Sequence, residues 1–318
     1  MRSLAISAVM LAWLTAAAPG AGSPTAAPFA RTAGRLARGR YLVESVGRCF
    51  DCHSELDRHG KVIAALRGAG RILPAAESKI ALPEFLVCPN ITPDRQTGAG
   101  DWSDAQLERA IRHGIGHDGR TLLPFMPFWA FRSLTDEDLA SIVVYLRSIP
   151  AVRHALPQRN VAKVDPQPNW LLAAQPPAVA ASASPEQRRG EYLVRIGHCT
   201  GCHTANKKGG GVLLLGGGIV FVRPWGTVAS ANVTPDPSGI GYYDEEQFVR
   251  TIRTGHVGAR PLSPTMPWRF LRHLRDDDLE AIYMYLRTLP PVQHRVDNTE
   301  PPTLCPKDGN RHGFGDRN

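Results

Sequence analysis

Five residues, Cys49-Phe50-Asp51-Cys52-His53, return later in the chain as Cys199-Thr200-Gly201-Cys202-His203. No other feature restricts the fold and chemistry of this chain so strongly. On a helix, positions i, i+3 and i+4 share a face, so each segment aims two thiols and an imidazole at one volume. C-x-x-C-H is the attachment signature for c-type haem. The thiols form thioethers with the porphyrin, and the histidine ligates iron from the proximal side. A thioredoxin-like dithiol and a four-cysteine zinc site also use cysteine pairs. Neither needs a histidine directly after each pair, and the dithiol expects a βαβ setting. Here short helical runs, Gly39-Arg40-Tyr41-Leu42-Val43 and Gly190-Glu191-Tyr192-Leu193-Val194, lead into the motifs. The duplicated match therefore predicts two covalently bound haem c groups, attached at Cys49, Cys52, Cys199 and Cys202, with His53 and His203 as proximal ligands.

The repeat extends well beyond the motifs. Asn90-Ile91-Thr92-Pro93-Asp94 is echoed by Asn232-Val233-Thr234-Pro235-Asp236, a composition that reads as a turn. Asn90 and Asn232 are read as capping local backbone, with contact to a haem propionate or the proximal imidazole as the alternative. A glycine turn then precedes a helix in each half, Leu107 to His113 and Phe248 to Thr254. The closing segments, Leu134 to Pro150 and Leu274 to Pro290, both read as helices. Acidic residues crowd the first turn, an arginine sits near the end and proline stops the helix. Leu139, Ile142, Val143, Leu146 and Ile149 form an apolar stripe at helical spacing, as do Leu279, Ile282, Tyr283, Leu286 and Leu289.

A length of 318 residues admits about two domains, and the repeat places them. Residues 36–150 and 186–293 are predicted as the two repeated domains. Residues 151–185, rich in proline and alanine, form a linker, and 294–318 form a polar tail without a C-terminal anchor. Met1-Arg2-Ser3, the apolar run Leu4 to Ala18 and the small residues up to Ser23 have the layout of a signal peptide over 1–23. The run is shorter than the ~20 residues that span a bilayer. Export to the periplasm follows, and the formal charge of +8 suits an acidic partner or an anionic membrane surface. Nucleic acid is not expected as a partner. Cys88 and Cys305 remain after the motifs, and an oxidising compartment permits them to pair. The sequence alone fixes no connectivity.

Each iron needs a sixth ligand, and the repeat offers Met126 in Pro124-Phe125-Met126-Pro127 and Met266 in Pro264-Thr265-Met266-Pro267. A proline after each methionine disfavours helix there, so both thioethers are expected on loops. The competing role for a methionine is core filling. Histidine is the rival ligand, with His59, His113, His117 and His154 in the first half and His198, His256, His273 and His294 in the second. No pair of histidines is read as repeating the way the methionines do. Arg71, Arg223 and Trp225 are candidates to meet propionates.

On these motifs the chain resembles tandem class I cytochrome c domains. More closely, it is similar to the multihaem cytochrome c subunits of bacterial membrane-bound alcohol, gluconate and sorbitol dehydrogenases. The similarity rests on G-x-Y-L-V before C-x-x-C-H, N-[IV]-T-P-D, the Met-Pro loop and Y-L-R-x-[IL]-P. It implies a mainly α fold of two tandem class I cytochrome c-like domains joined by the Pro/Ala-rich linker. It also implies thioethers at the four motif cysteines, proximal His53 and His203, and distal Met126 and Met266. Those subunits typically hold three cytochrome domains, whereas two are read here. The expected function is a periplasmic dihaem electron carrier of the respiratory chain, taking electrons from a dehydrogenase and passing them to a cytochrome or oxidase, with peripheral association with the cytoplasmic membrane open. That reading describes an electron-transfer protein or dehydrogenase subunit, with no catalytic residues, rather than a stand-alone enzyme. The alternative is a haem enzyme such as a dihaem peroxidase or a thiosulfate-oxidising cytochrome, which needs a displaceable ligand on one iron.

Overall fold

The computed structural model describes residues 28–57, 59–74, 85–157, 175–207, 211–223, 226–299, 301, 303–304 and 311–312. The segment 1–23 read as a signal peptide, the middle of the proposed linker, Trp225 and Cys305 lie outside these residues. The pairing of Cys88 with Cys305 therefore lies outside them too.

Each half begins with a helix that ends at the haem motif. In the first, α1 (Ala33–Tyr41) starts where the Thr32 side chain accepts from the Arg35 N–H at 3.2 Å, and it continues into a π-helical turn over Leu42–Val46. α2 (Cys49–Cys52) carries the motif, followed by α3 (Asp104–His113), α4 (Phe128–Phe131) and α5 (Asp136–Ser148). The second half repeats the order as α6 (Pro185–Ile196), α7 (Thr200–His203), α8 (Glu245–Thr254), α9 (Trp268–Leu271) and α10 (Asp276–Leu286). Capping explains several boundaries. Ser103 and Ser184 form capping boxes with Gln106 and Gln187, and Thr135 and Asp244 accept N–H bonds at the starts of α5 and α8.

α1 crosses α5, and α6 crosses α10. The glycine of each G-x-Y-L-V run makes the crossing possible. A Cβ on Gly39 would lie 1.9 Å from the Ser141 carbonyl oxygen, and one on Gly190 would lie 1.9 Å from that of Ala281. The apolar stripe of α5 is buried as its spacing predicts. In α10, Leu279 and Leu286 are buried while Ile282 and Tyr283 are half-buried.

Helix covers 37% of the described residues and strand 13%, so helix predominates among them without making the fold clearly mainly α. Each half has an antiparallel pair between its motif and its N-x-T-P-D loop. β1 (Arg71–Pro74) pairs with β2 (Phe85–Cys88), and β3 (Val220–Arg223) pairs with β4 (Gly226–Ala229). The runs Arg-Ile-Leu-Pro and Val-Phe-Val-Arg are too short for periodicity to separate strand from buried loop. Their hydrogen-bonding partners, not their composition, decide the matter.

The halves pack about a pseudo-two-fold relation. Asp138, at the start of α5, takes a bidentate pair from Arg38 of its own half at 2.7 Å and a bond from the Tyr192 hydroxyl of the other half at 2.6 Å. Asp278, at the start of α10, pairs with Arg189 at 2.5 Å and accepts from the Tyr41 hydroxyl. Around these clusters buried apolar residues from both halves form a shared core, with smaller separate clusters at Phe128–Ala130 and around Leu73, Leu86 and Cys88.

Candidate haem centres

In each motif a single helical turn brings the three groups together. The His53 N–H bonds to the Cys49 carbonyl at 2.9 Å, and the His203 N–H to that of Cys199 at 3.0 Å. The imidazoles are then oriented by backbone. His53 Nδ1 lies 2.7 Å from the Pro89 carbonyl oxygen, and His203 Nδ1 lies 2.7 Å from that of Ala231. Engaging Nδ1 in this way fixes the ring and directs Nε2 toward a metal, the arrangement usual for ligating histidines.

The carbonyls are placed by the hairpins, since Pro89 follows β2 and Ala231 lies just beyond β4. The Asn side chains hold this chain in position. Asn90 Oδ1 accepts from the Thr92 N–H at 2.9 Å, and Asn90 Nδ2 donates to the Val152 carbonyl at 2.7 Å. Asn232 repeats both bonds, to Thr234 at 2.9 Å and Val292 at 2.7 Å. The turn role is what the structure displays. Both Asn residues are buried next to the carbonyl that receives the imidazole, and each ties the turn, through Oδ1, to backbone beyond the closing helix, through Nδ2. A glycine closes the other side: the Gly70 N–H bonds to the His53 carbonyl at 2.9 Å, and the Gly217 N–H to that of His203 at 2.8 Å. Both adopt positive φ, and a Cβ on either would fall 2.5 Å or less from backbone.

The methionine loops are built alike. The Leu122 N–H bonds to the Gly114 carbonyl, and the Leu262 N–H to that of Gly255, each at 2.7 Å, which ties the loop to the end of α3 or α8. Phe128 and Trp268, two residues past the methionines, lie against those same glycines. Met126 and Met266 sit in bends before α4 and α9, half-buried and packed on the apolar core that Cys49 and Cys199 also touch.

The setting of the thiols bears on what they can hold. Burial pushes Cys49 up to about 12 and Cys199 up to about 11. Such surroundings disfavour thiolate, the form zinc requires, and accommodate a neutral thioether. Among the described residues no group of three or more His, Cys, Asp or Glu side chains is placed to hold a metal ion. The four-cysteine zinc reading is thus not supported. Burial and the Ala231 carbonyl act in opposite senses on His203, and burial prevails, keeping it neutral as a ligand must be. The residues present fit haem c.

Comparison with known proteins bears directly on this arrangement. Residues 34–146 match the family model described as cytochrome c oxidase, cbb3-type, subunit III, and residues 187–290 match that for cytochrome c. The chain holds two cytochrome c domains. It is 30% identical over 281 residues to the gluconate 2-dehydrogenase cytochrome c subunit of Pantoea cypripedii, covering 79% of this chain and 59% of that one. It is 30% identical over 287 residues to the alcohol dehydrogenase (quinone) cytochrome c subunit of Gluconacetobacter polyoxogenes, covering 80% and 56%. The chain thus spans somewhat more than half the length of these relatives. A diheme cytochrome c-type protein of Cereibacter sphaeroides is 28% identical over 276 residues, covering 83% of this chain and 89% of that protein.

Within these cytochrome c domains the structure revises one histidine reading. His154 and His294 do repeat: their Nδ1 atoms lie 3.1 Å from the Ala69 carbonyl and 2.8 Å from the Gly216 carbonyl. Both brace the loop that contacts the motif histidine, in a V-x-H pattern beyond the proline that follows the last helix of each half. Ser54 and Thr204 do similar work, accepting from the Gly68 and Leu215 N–H groups. Another pair missed from sequence is Arg48 and His198, directly before each first cysteine. Cys88, on β2, lies beside Cys52, and hydrogen bonding to Cys88 together with burial raises the Cys52 thiol well above its ordinary range. Among the described residues no helix is long and apolar enough to cross a membrane.

Proposed function

We propose that this protein is an exported dihaem cytochrome c that carries single electrons from a dehydrogenase partner to a respiratory acceptor. The observation that carries the reading is the twice-built C-x-x-C-H turn, with each histidine Nδ1 2.7 Å from a backbone carbonyl oxygen. Cys49 and Cys52 would attach one haem and Cys199 and Cys202 the other. His53 and Met126 would ligate the first iron, and His203 and Met266 the second. When bound, haem c supplies one-electron chemistry, with thioether ligation raising its potential relative to nitrogen ligation.

The chain's own residues then have defined work. The Pro89 and Ala231 carbonyls hold the imidazoles, the Met-Pro loops present sulfur, and the apolar core excludes water. With His53 and Met126 on one iron and His203 and Met266 on the other, no position would remain open to substrate, which suits outer-sphere transfer to protein partners. The names of the gluconate and alcohol dehydrogenase subunits support a dehydrogenase as donor. The name and similar length of the Cereibacter sphaeroides protein support a unit of two haems. Export to the periplasm and peripheral attachment to the membrane rest on the 1–23 layout and the net charge of +8. The peroxidase or thiosulfate-oxidising alternative draws no support from the named relatives.

The test is spectroscopic. Met126→Ala and Met266→Ala are each expected to remove about half of the methionine-to-iron charge-transfer band of the oxidised protein while both haems stay attached. Retention of the full band in either variant would refute that ligand.

A further inference from the structure

Arg48 and His198 occupy the same place in the repeat, yet only one carries a fixed charge. Each precedes the first motif cysteine and adopts left-handed backbone, with φ of 50° and 46°. That conformation is disfavoured for a non-glycine residue. It turns both side chains toward the interface, where they meet. Arg48 Nη2 donates to the Gly197 carbonyl at 3.2 Å and lies 2.7 Å from His198 Nε2 and 3.1 Å from Nδ1. Arg48 is 8% exposed, and its Nε has no hydrogen-bond partner. It forms no ion pair with a carboxylate among the described residues. Burial and the adjoining guanidinium hold His198 well below the usual imidazole range, so the contact is one of cation with neutral ring.

The chain of the first domain thereby delivers a buried, uncompensated positive charge to the backbone entering the second motif. Charge in such a place acts through an effective dielectric far below that of water. It favours whichever redox state carries less positive charge, which for haem iron is the reduced one.

We propose that Arg48 sets the order in which the two centres fill, making the second domain the one that holds the electron in the half-reduced protein. The idea rests on the dihaem reading above. In the internal step, one electron leaves the first-domain iron, which goes from ferrous to ferric, and reduces the second-domain iron from ferric to ferrous. No proton, bond or co-reactant is involved.

The experiment is an optical redox titration of the full-length holoprotein, wild type beside Arg48→Gln and Arg48→Lys, with Met126→Ala and Met266→Ala assigning the components. Arg48→Gln is expected to move the second-domain component to lower potential by more than the first, while Arg48→Lys keeps most of the wild-type separation. His198→Glu, which sets a carboxylate against the guanidinium, is expected to lower the same component and stands in for Arg48→Gln if that variant fails to mature. Equal or absent shifts in a protein that retains two attached haems would overturn the role of Arg48. A wild-type protein lacking two haems would instead overturn the dihaem reading itself.

Discussion

Adding one methyl group to α1 at two positions five residues apart is expected to have opposite effects. At Gly39 a Cβ would lie 1.9 Å from the Ser141 carbonyl oxygen, against roughly 3.3 Å for a comfortable carbon–oxygen contact. The helices must separate by about 1.4 Å, which withdraws Val43 and Leu42 from the stripe of α5. Overpacking of a closed core costs about 1–3 kcal/mol, and because the obstacle is backbone the upper end applies. At Gly34, in the same helix, the nearest atom to the added Cβ is Thr32 Oγ1 at 4.0 Å. There only the helix preference of alanine acts, a gain of roughly 0.5–1 kcal/mol. Guanidinium chloride unfolding of the holoprotein, followed by far-ultraviolet dichroism, should place Gly39→Ala at least 2 kcal/mol and up to about 4 kcal/mol below Gly34→Ala. Gly190→Ala, which meets the Ala281 carbonyl oxygen at the same 1.9 Å, should match Gly39→Ala. Equal stabilities for Gly34→Ala and Gly39→Ala would refute the claim that close helix contact dictates this glycine.

Tyr192→Phe removes a hydroxyl bond to a buried carboxylate at 2.6 Å, worth about 1.5–3 kcal/mol, with the low end expected because Asp138 keeps Arg38. Urea unfolding should register that loss, and an unchanged midpoint would discount the interdomain cluster. Asn90→Ala deprives the Thr92 N–H and Val152 carbonyl of a buried partner and is expected to cost about 2–3 kcal/mol, lowering the thermal midpoint and broadening the first-domain haem spectrum. A spectrum unaltered in both respects would argue that the Pro89 carbonyl is held by other means. Burial raises Tyr145 and Tyr243 to about 12 and lifts Tyr41, Tyr192 and Tyr285 as well. Because these folded-state values exceed the unfolded value near 10, their contribution is intact below about pH 10 and is lost as pH rises through the folded values. Stability measured between pH 9 and pH 12 should fall, and fall less in Tyr192→Phe than in wild type.

What the sequence revealed and what it hid divide along a physical line. Cys49, Cys52 and His53 stand out because the proposed covalent attachment needs those atoms at that spacing, and Met126 and Met266, the proposed distal ligands, because a sulfur followed by proline recurs in both halves. The starts of α5 and α10 were legible because acidic residues suit the positive end of a helix. The carbonyls of Pro89 and Ala231 were not, since any residue supplies a carbonyl and only the hairpins determine where it points. Tyr41 and Tyr192 lie in the helical runs before the motifs, yet their hydroxyls reach the opposite domain, a contact no local pattern encodes. Arg48 and His198 share no side-chain chemistry, so comparison of the halves by residue type passes over them. His154 and His294 did leave a signal, but it lies past the proline that ends the helical repeat.

The central claim is that this polypeptide holds two haem groups through thioether bonds. Intact mass spectrometry of the denatured, exported protein tests it most directly. The account predicts a mass increased by two haems, with peptides containing Cys49–His53 and Cys199–His203 each carrying one. A mass equal to that of the bare chain, or haem released by denaturation alone, would contradict it.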